Sequence, residues 1–163
     1  MKKILILAGG YSKEKEVSIQ TAKSVYSELN KDKKYKIKVV NPDGKFVQVL
    51  RNFNPNIVLN LLHGRYGEDG YIQAILESEK VKYTHSGVLS SSLAIDKELS
   101  KKIFIKNKIR TPKYLIYSLN LSLNKNLFIK KLDQRFGFPL VIKPLNEGSS
   151  VNVYIRDGFK CVI

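Results

Sequence analysis

The chain has 163 residues, enough to bury a core and to make one domain, or one domain with part of a second. Its 29 Lys and Arg against 14 Asp and Glu leave a formal charge of +15, but the lysines are scattered among Ile and Asn, Trp is absent and no Lys/Arg-Gly-Phe-Gly-Phe stacking motif occurs, which argues against a specific nucleic-acid reader. No apolar run approaches a membrane span, the N-terminal apolar stretch is too short for a signal peptide, and the single Cys161 excludes an internal disulfide and a cysteine metal cluster, so a cytoplasmic protein with no nucleic-acid or membrane partner is expected.

Lys3 to Ala8 predicts a buried strand, and Gly9-Gly10-Tyr11-Ser12 the turn after it. A helix follows from about Val17 to Leu29, with Val17, Ala22, Val25, Tyr26 and Leu29 as its apolar face. A dinucleotide fold fails here, because G-x-G-x-x-G is absent and Ser12-Lys13-Glu14-Lys15-Glu16 places acids where a pyrophosphate needs amides. Glu14, close to a strand's carboxyl end, suits an amine; the plain alternative is a solvated loop carboxylate. Tyr35 to Val40 predicts a strand, Asn41-Pro42-Asp43-Gly44 a turn, Phe46 to Phe53 a short helix, and Ile57 to Leu62 a third strand, apolar at nearly every position as in a parallel sheet covered on both faces.

That strand runs into His63-Gly64-Arg65-Tyr66-Gly67-Glu68-Asp69-Gly70. His63 would stand at the carboxyl end of the sheet, where open α/β folds bind ligands, and the glycines permit a tight path. Glu68 and Asp69 either serve that site or only cap a helix beginning near Gly70. Tyr71 to Lys80 predicts the helix, Val81 to Thr84 a short strand, and Val88 to Ile95 another helix. Strands alternating with helices imply a parallel, Rossmann-like sheet.

A second unit is expected from Asp96-Lys97, with a helix to about Lys108 that buries Leu99, Ile103, Phe104 and Ile105 and ends before Thr111-Pro112. Tyr114 to Tyr117 predicts a strand, Leu127 to Phe136 a helix, Leu140 to Lys143 a strand and Val151 to Ile155 another, with a turn at Arg156-Asp157-Gly158. Between the last two strands lies Lys143-Pro144-Leu145-Asn146-Glu147-Gly148-Ser149-Ser150, where a lysine held at a strand end faces glycine amides and serine hydroxyls. Such a loop cradles phosphates, although it is not a Walker loop. No internal repeat is visible.

These loops, in this order and spacing, resemble D-alanine–D-alanine ligases of the ATP-grasp class. The resemblance rests on Gly9 to Ser18, His63 to Gly70 with Gln73 following, Tyr83 through Asp96-Lys97, and Gly137-Phe138-Pro139 through Val151. It implies an α/β fold: a Rossmann-like parallel sheet as the pre-ATP-grasp substrate domain over 1–95, then the small α+β subdomain of an ATP-grasp fold over 96–163, truncated. It implies ATP-dependent joining of two D-alanines through an acyl phosphate for peptidoglycan synthesis, and with it cell-wall biogenesis and cell shape. Glu14 would hold the first D-alanine's ammonium, His63 would lie beside its carboxylate and the attacking amine, and Ser149 would share a network with Glu14. Lys97 and Lys143 would contact ATP phosphates, with Glu147, Gly148, Ser149 and Ser150 completing the loop over the nucleotide. The plain alternative for Lys97 is a helix-surface lysine.

Mg2+ is implied with its ligands beyond residue 163, none being assigned within the chain, so residues 1–163 are expected to be inactive alone. A homodimer through the first domain is implied too. Asn152 and His85 stand where the family usually has glycine, which predicts crowding at both places. The rival readings are a non-catalytic remnant, another ATP-grasp carboxylate-amine ligase, and a basic nucleic-acid-binding module.

Overall fold

The computed structural model describes residues 1–117, 125–148 and 150–156, Lys125 by its backbone alone. The chain forms two compact units, Met1–Asp96 and Lys97–Ile163. In the first, β1 (Lys2–Leu7), β2 (Tyr35–Val40) and β3 (Ile57–Asn60) form a parallel sheet in the order β2-β1-β3. Lys2 pairs with Tyr35 and Leu7 with Val40 on one side, Ile4 with Ile57 and Leu7 with Asn60 on the other. The central strand feeds two cores, because successive side chains point to opposite faces. Leu5 and Leu7 pack with Phe46, Leu50, Val58, Leu62, Ile72 and Leu76, whereas Ile4, Ile6 and Ala8 pack with Ala22. The connecting helices are α1 (Lys15–Leu29), α2 (Phe46–Phe53), α3 (Tyr71–Ser78) and α4 (Val88–Ile95).

Three features of this unit depart from the sequence reading. The buried positions of α1 are Ser18 and Ala22, with Val25 and Leu29 against the same cluster, while Val17 and Tyr26 are exposed. A buried serine sets this face because its hydroxyl is needed between two backbone groups described below. β3 ends at Asn60 rather than Leu62, since the Asn60 side-chain oxygen accepts the Leu62 N–H at 3.3 Å and turns the chain. The expected strand Val81–Thr84 shrinks to one bridge, Tyr83 beside Val58, flanked by hydrogen bonds from Val58 N–H to the Lys82 carbonyl at 2.8 Å and from Thr84 N–H to the Val58 carbonyl at 3.0 Å.

Tyr83 donates to Glu77 at 2.6 Å, and burial, reinforced by that carboxylate, pushes its phenol up to about 12. A raised folded value means that the neutral phenol stabilises the fold fully below the unfolded value of 10.0, and that this contribution fades as pH climbs through the folded one. Between about pH 9 and about pH 11 the wild type is therefore expected to lose more thermal stability than Tyr83→Phe. Parallel losses in the two proteins would contradict this.

The second unit contains α5 (Lys97–Lys106), α6 (Lys125–Phe136), and an antiparallel pair of β4 (Leu140–Ile142) with β5 (Tyr154–Arg156), registered Leu140 to Arg156 and Ile142 to Tyr154. No residue of α5 is buried, so the expected stripe of Leu99, Ile103, Phe104 and Ile105 stays half-exposed. The helix stops two residues early, because Lys108 takes a left-handed φ of 59° and Ile109 N–H returns to the Phe104 carbonyl. Tyr114–Tyr117 forms no strand. The last strand starts at Tyr154 and not Val151, since Ser150 (φ 60°) and Asn152 (φ 54°) occupy a region no strand residue adopts. Arg156 ends this strand, and the rest of the turn expected at Arg156-Asp157-Gly158, with Cys161, lies outside the described residues. Among those residues no helix is long and apolar enough to cross a membrane.

Candidate functional site

The loops after β1 and β3 are stitched together by two serines. Ser18 accepts the Gly9 N–H at 2.9 Å and donates to the Leu61 carbonyl at 2.6 Å, while Ser12 donates to the His63 carbonyl at 2.7 Å and accepts the Glu14 N–H at 3.1 Å. Gly9 and Gly10 make the approach possible with φ of 92° and 80°, and Asn41 accepts the Gly10 N–H. Glu14 precedes the first turn of α1, where the helix dipole favours a carboxylate, and it is 95% removed from solvent at 5% exposure. Its side chain lies against the second loop: a Cβ placed on Gly64 would come within 3.2 Å of Glu14 Oε1. The solvated-loop alternative for Glu14 therefore fails.

His63 sits between two partners. Its Nε2 lies 3.4 Å from Thr21 Oγ1 on α1, and its Nδ1 lies 3.7 Å from Glu68 Oε1. The second oxygen of Glu68 accepts the Gly64 N–H at 2.8 Å. Glu68 thus faces the imidazole, and it caps no helix. Asp69 does act on backbone, accepting from Tyr66 N–H at 2.9 Å and from Tyr71 N–H in the first turn of α3 at 3.2 Å. Of the two alternatives open for these acids, the capping one holds for Asp69.

In the second unit, Lys97 is no plain surface lysine. Its ammonium donates to the carbonyls of Leu145 at 3.0 Å and Glu147 at 2.5 Å, tying the N-terminus of α5 to the loop after β4. Lys143 is exposed at the end of β4, beside Lys101, whose ammonium is drawn below its usual range by burial and by the neighbouring Lys143 charge. Lys101 donates to Thr111 Oγ1 and the Pro112 carbonyl, both at 2.8 Å. Gly148 accepts the Val151 N–H, and Ser150 lies in the same exposed turn. Ser149, expected to join Glu14, lies outside the described residues.

The two departures from glycine share a cause. His85 (φ 88°) and Asn152 (φ 54°) both adopt left-handed backbone, where a side chain costs energy. Each is braced locally: Thr84 Oγ1 lies 3.1 Å from His85 Nδ1, and Asn152 donates to Glu147 at 2.8 Å. Crowding is thus expressed as backbone strain, less for Asn152, since asparagine tolerates this region. His85→Gly is expected to raise stability, by roughly 1 kcal/mol. Chemical denaturation would check it, and a lower midpoint would contradict it.

Sequence reasoning missed Ser12, Ser18, Thr21 and Asn60. Only Ser18 left a signal, as its spacing to Ala22, Val25 and Leu29 completes a helical face. Among the described residues no group of three His, Cys, Asp or Glu stands where it would hold a metal ion, so the residues present do not fit Mg2+.

Loops at the carboxyl ends of parallel strands stand where open α/β sheets bind ligands, and a separate unit carries a strand pair with Lys143 at the end of its first strand. No protein-family model matches the chain. It is 55% identical over 156 residues to a D-alanine–D-alanine ligase of Pelagibacter ubique, a match covering 96% of the chain and 50% of that protein. The D-alanine–D-alanine ligase crystal structure from Bacillus anthracis superposes with a TM-score of 0.79 at 38% identity, over 98% of the chain and 50% of the ligase. The same enzyme complexed with ATP gives 0.75 at 36% identity, over 96% of the chain and 51% of the ligase. This chain is related to the N-terminal portion of the D-alanine–D-alanine ligases, and spans about half the length of the curated relatives it matches.

Proposed function

We propose that the chain supplies the first-substrate pocket and part of the nucleotide loop of a D-alanine–D-alanine ligase of peptidoglycan synthesis. The observation that carries this reading is the buried Glu14 carboxylate packed on the His63-Gly64 turn. Glu14 accepts the ammonium of the first D-alanine. His63, facing Glu68, lies by its carboxylate, which takes the γ-phosphoryl group of ATP and becomes an acyl phosphate as ADP departs. The amine of a second D-alanine then attacks the acyl carbon, forming the amide bond as phosphate leaves. The chain's contribution is positioning and charge neutralisation, as phosphoryl transfer requires.

Lys143, with Gly148, Ser149 and Ser150, receives the phosphates. Lys97 acts on the loop's path, through Leu145 and Glu147, besides contacting a phosphate. Glu147 is held by Asn152. Among the described residues none is assigned to a metal; Mg2+ would supply neutralisation of the phosphate charge.

Residues 1–163 on their own are accordingly expected to release no D-alanine-dependent phosphate from ATP, while binding nucleotide weakly, around millimolar. Lys143→Ala should weaken that binding several-fold, with the largest difference at low salt. Titration with a fluorescent ATP analogue checks this. Undiminished binding by Lys143→Ala would remove the phosphate role, and robust turnover by residues 1–163 would place metal ligands within them.

A further inference from the structure

We infer that Gln73, acting together with Asn60, is the positioning residue of the His63 loop. The Gly67 carbonyl accepts two side-chain amides, Asn60 Nδ2 from the end of β3 and Gln73 Nε2 from the first turns of α3, each at 2.8 Å. Both side chains are 1% exposed. The orientation of Gln73 follows from its partner, because the opposite one would set two oxygens face to face.

Among the described residues Gln73 Oε1 then finds no hydrogen-bond partner. A buried orphan acceptor is destabilising, and an apolar residue of the same length would fill the space without it. The glutamine is thus kept for the one bond that its nitrogen makes. That bond acts where the loop is least self-supporting. Gly64 (φ 68°) and Tyr66 (φ 69°) are left-handed, and a Cβ on Gly67 would sit 2.4 Å from Leu62 Cβ, so the backbone is pressed directly on the segment that follows β3. Gly67 N–H and Glu68 N–H both return to the Gly64 carbonyl, and Glu68 in turn holds Gly64 N–H and faces His63. Fixing Gly67 therefore fixes the turn that presents Gly64 and His63. The consequence for ligand binding rests on the pocket reading given above; the consequence for loop order does not.

The test uses chain 1–163 and Gln73→Met, which keeps the length and removes the donor. Amide exchange by NMR should accelerate about tenfold or more at Gly64, Gly67 and Glu68 and stay within about twofold at β1 amides. A merely structural role would speed all of them together, and that uniform result, or no change, would overturn the inference. Should Gln73→Met fail to fold, the wild type decides: the carboxamide protons of Gln73 and Asn60 should exchange far more slowly than free carboxamides, and free-like rates would overturn it. D-alanine affinity should fall about tenfold in the folded variant. If the wild type itself binds no D-alanine, the pocket reading fails while the exchange pattern still decides the clamp.

Discussion

Glu14→Gln is expected to weaken the first D-alanine site by about 2–5 kcal/mol, at least roughly 30-fold in affinity. The carboxylate is buried against the Gly64 backbone, so a substrate ammonium meeting it would be shielded from water and their attraction little screened. Glutamine keeps the shape and one acceptor oxygen but removes the charge, so the fold should survive. In an active ligase carrying these residues, the constant for the first D-alanine should rise steeply while that for ATP holds. Unchanged steady-state kinetics would sink the assignment of Glu14.

The second large effect concerns the scaffold that carries both loops. Leu76 on α3 is fully buried among Leu5 and Leu7 of β1, Val58 of β3 and Leu62, the residue just before His63. Leu76→Ala should cost about 2–5 kcal/mol by leaving a cavity that the neighbouring strand cannot close. For a unit of this size that is a fall of at least about 10 °C in Tm. Val17→Ala, on the exposed side of α1, should change stability by no more than about 0.5 kcal/mol. Equal losses from the two substitutions would contradict the placement of the core.

Much of the first unit was legible because its local and long-range preferences agree. Tyr35–Val40, Phe46–Phe53 and Val88–Ile95 begin and end where apolar periodicity and turn residues place them. What escaped was decided by side chains bonding to distant backbone. Ser18 turns α1 by one position because Gly9 and Leu61, far apart in sequence, need its hydroxyl. Asn60 looks like strand and ends it instead, spending its amide on Leu62 and Gly67. In the second unit the apolar spacing of Leu99, Ile103 and Phe104 is helical, but spacing alone does not say what covers a face.

Of the candidate site, Glu14 and His63 stood out from their places after strands, and the structure puts both at one pair of stitched loops. Lys143 stood out as a lysine at a strand end, whereas Lys97 came only from the family resemblance, and its use on loop carbonyls has no sequence signature. Glu68 was ambiguous for a physical reason: an acid just before a helix serves equally as cap or as brace, and only the fold of the loop decides.

The most direct test of the central claim is an NMR titration of the chain with D-alanine and, separately, L-alanine. The expected result is a saturable change of amide signals at Gly9, Gly10, Ser12, Glu14, His63 and Gly64 with D-alanine, absent in Glu14→Gln and much weaker with L-alanine. No change at these residues, or equal changes with both enantiomers, would contradict the assignment of the Glu14–His63 loops as a D-alanine pocket.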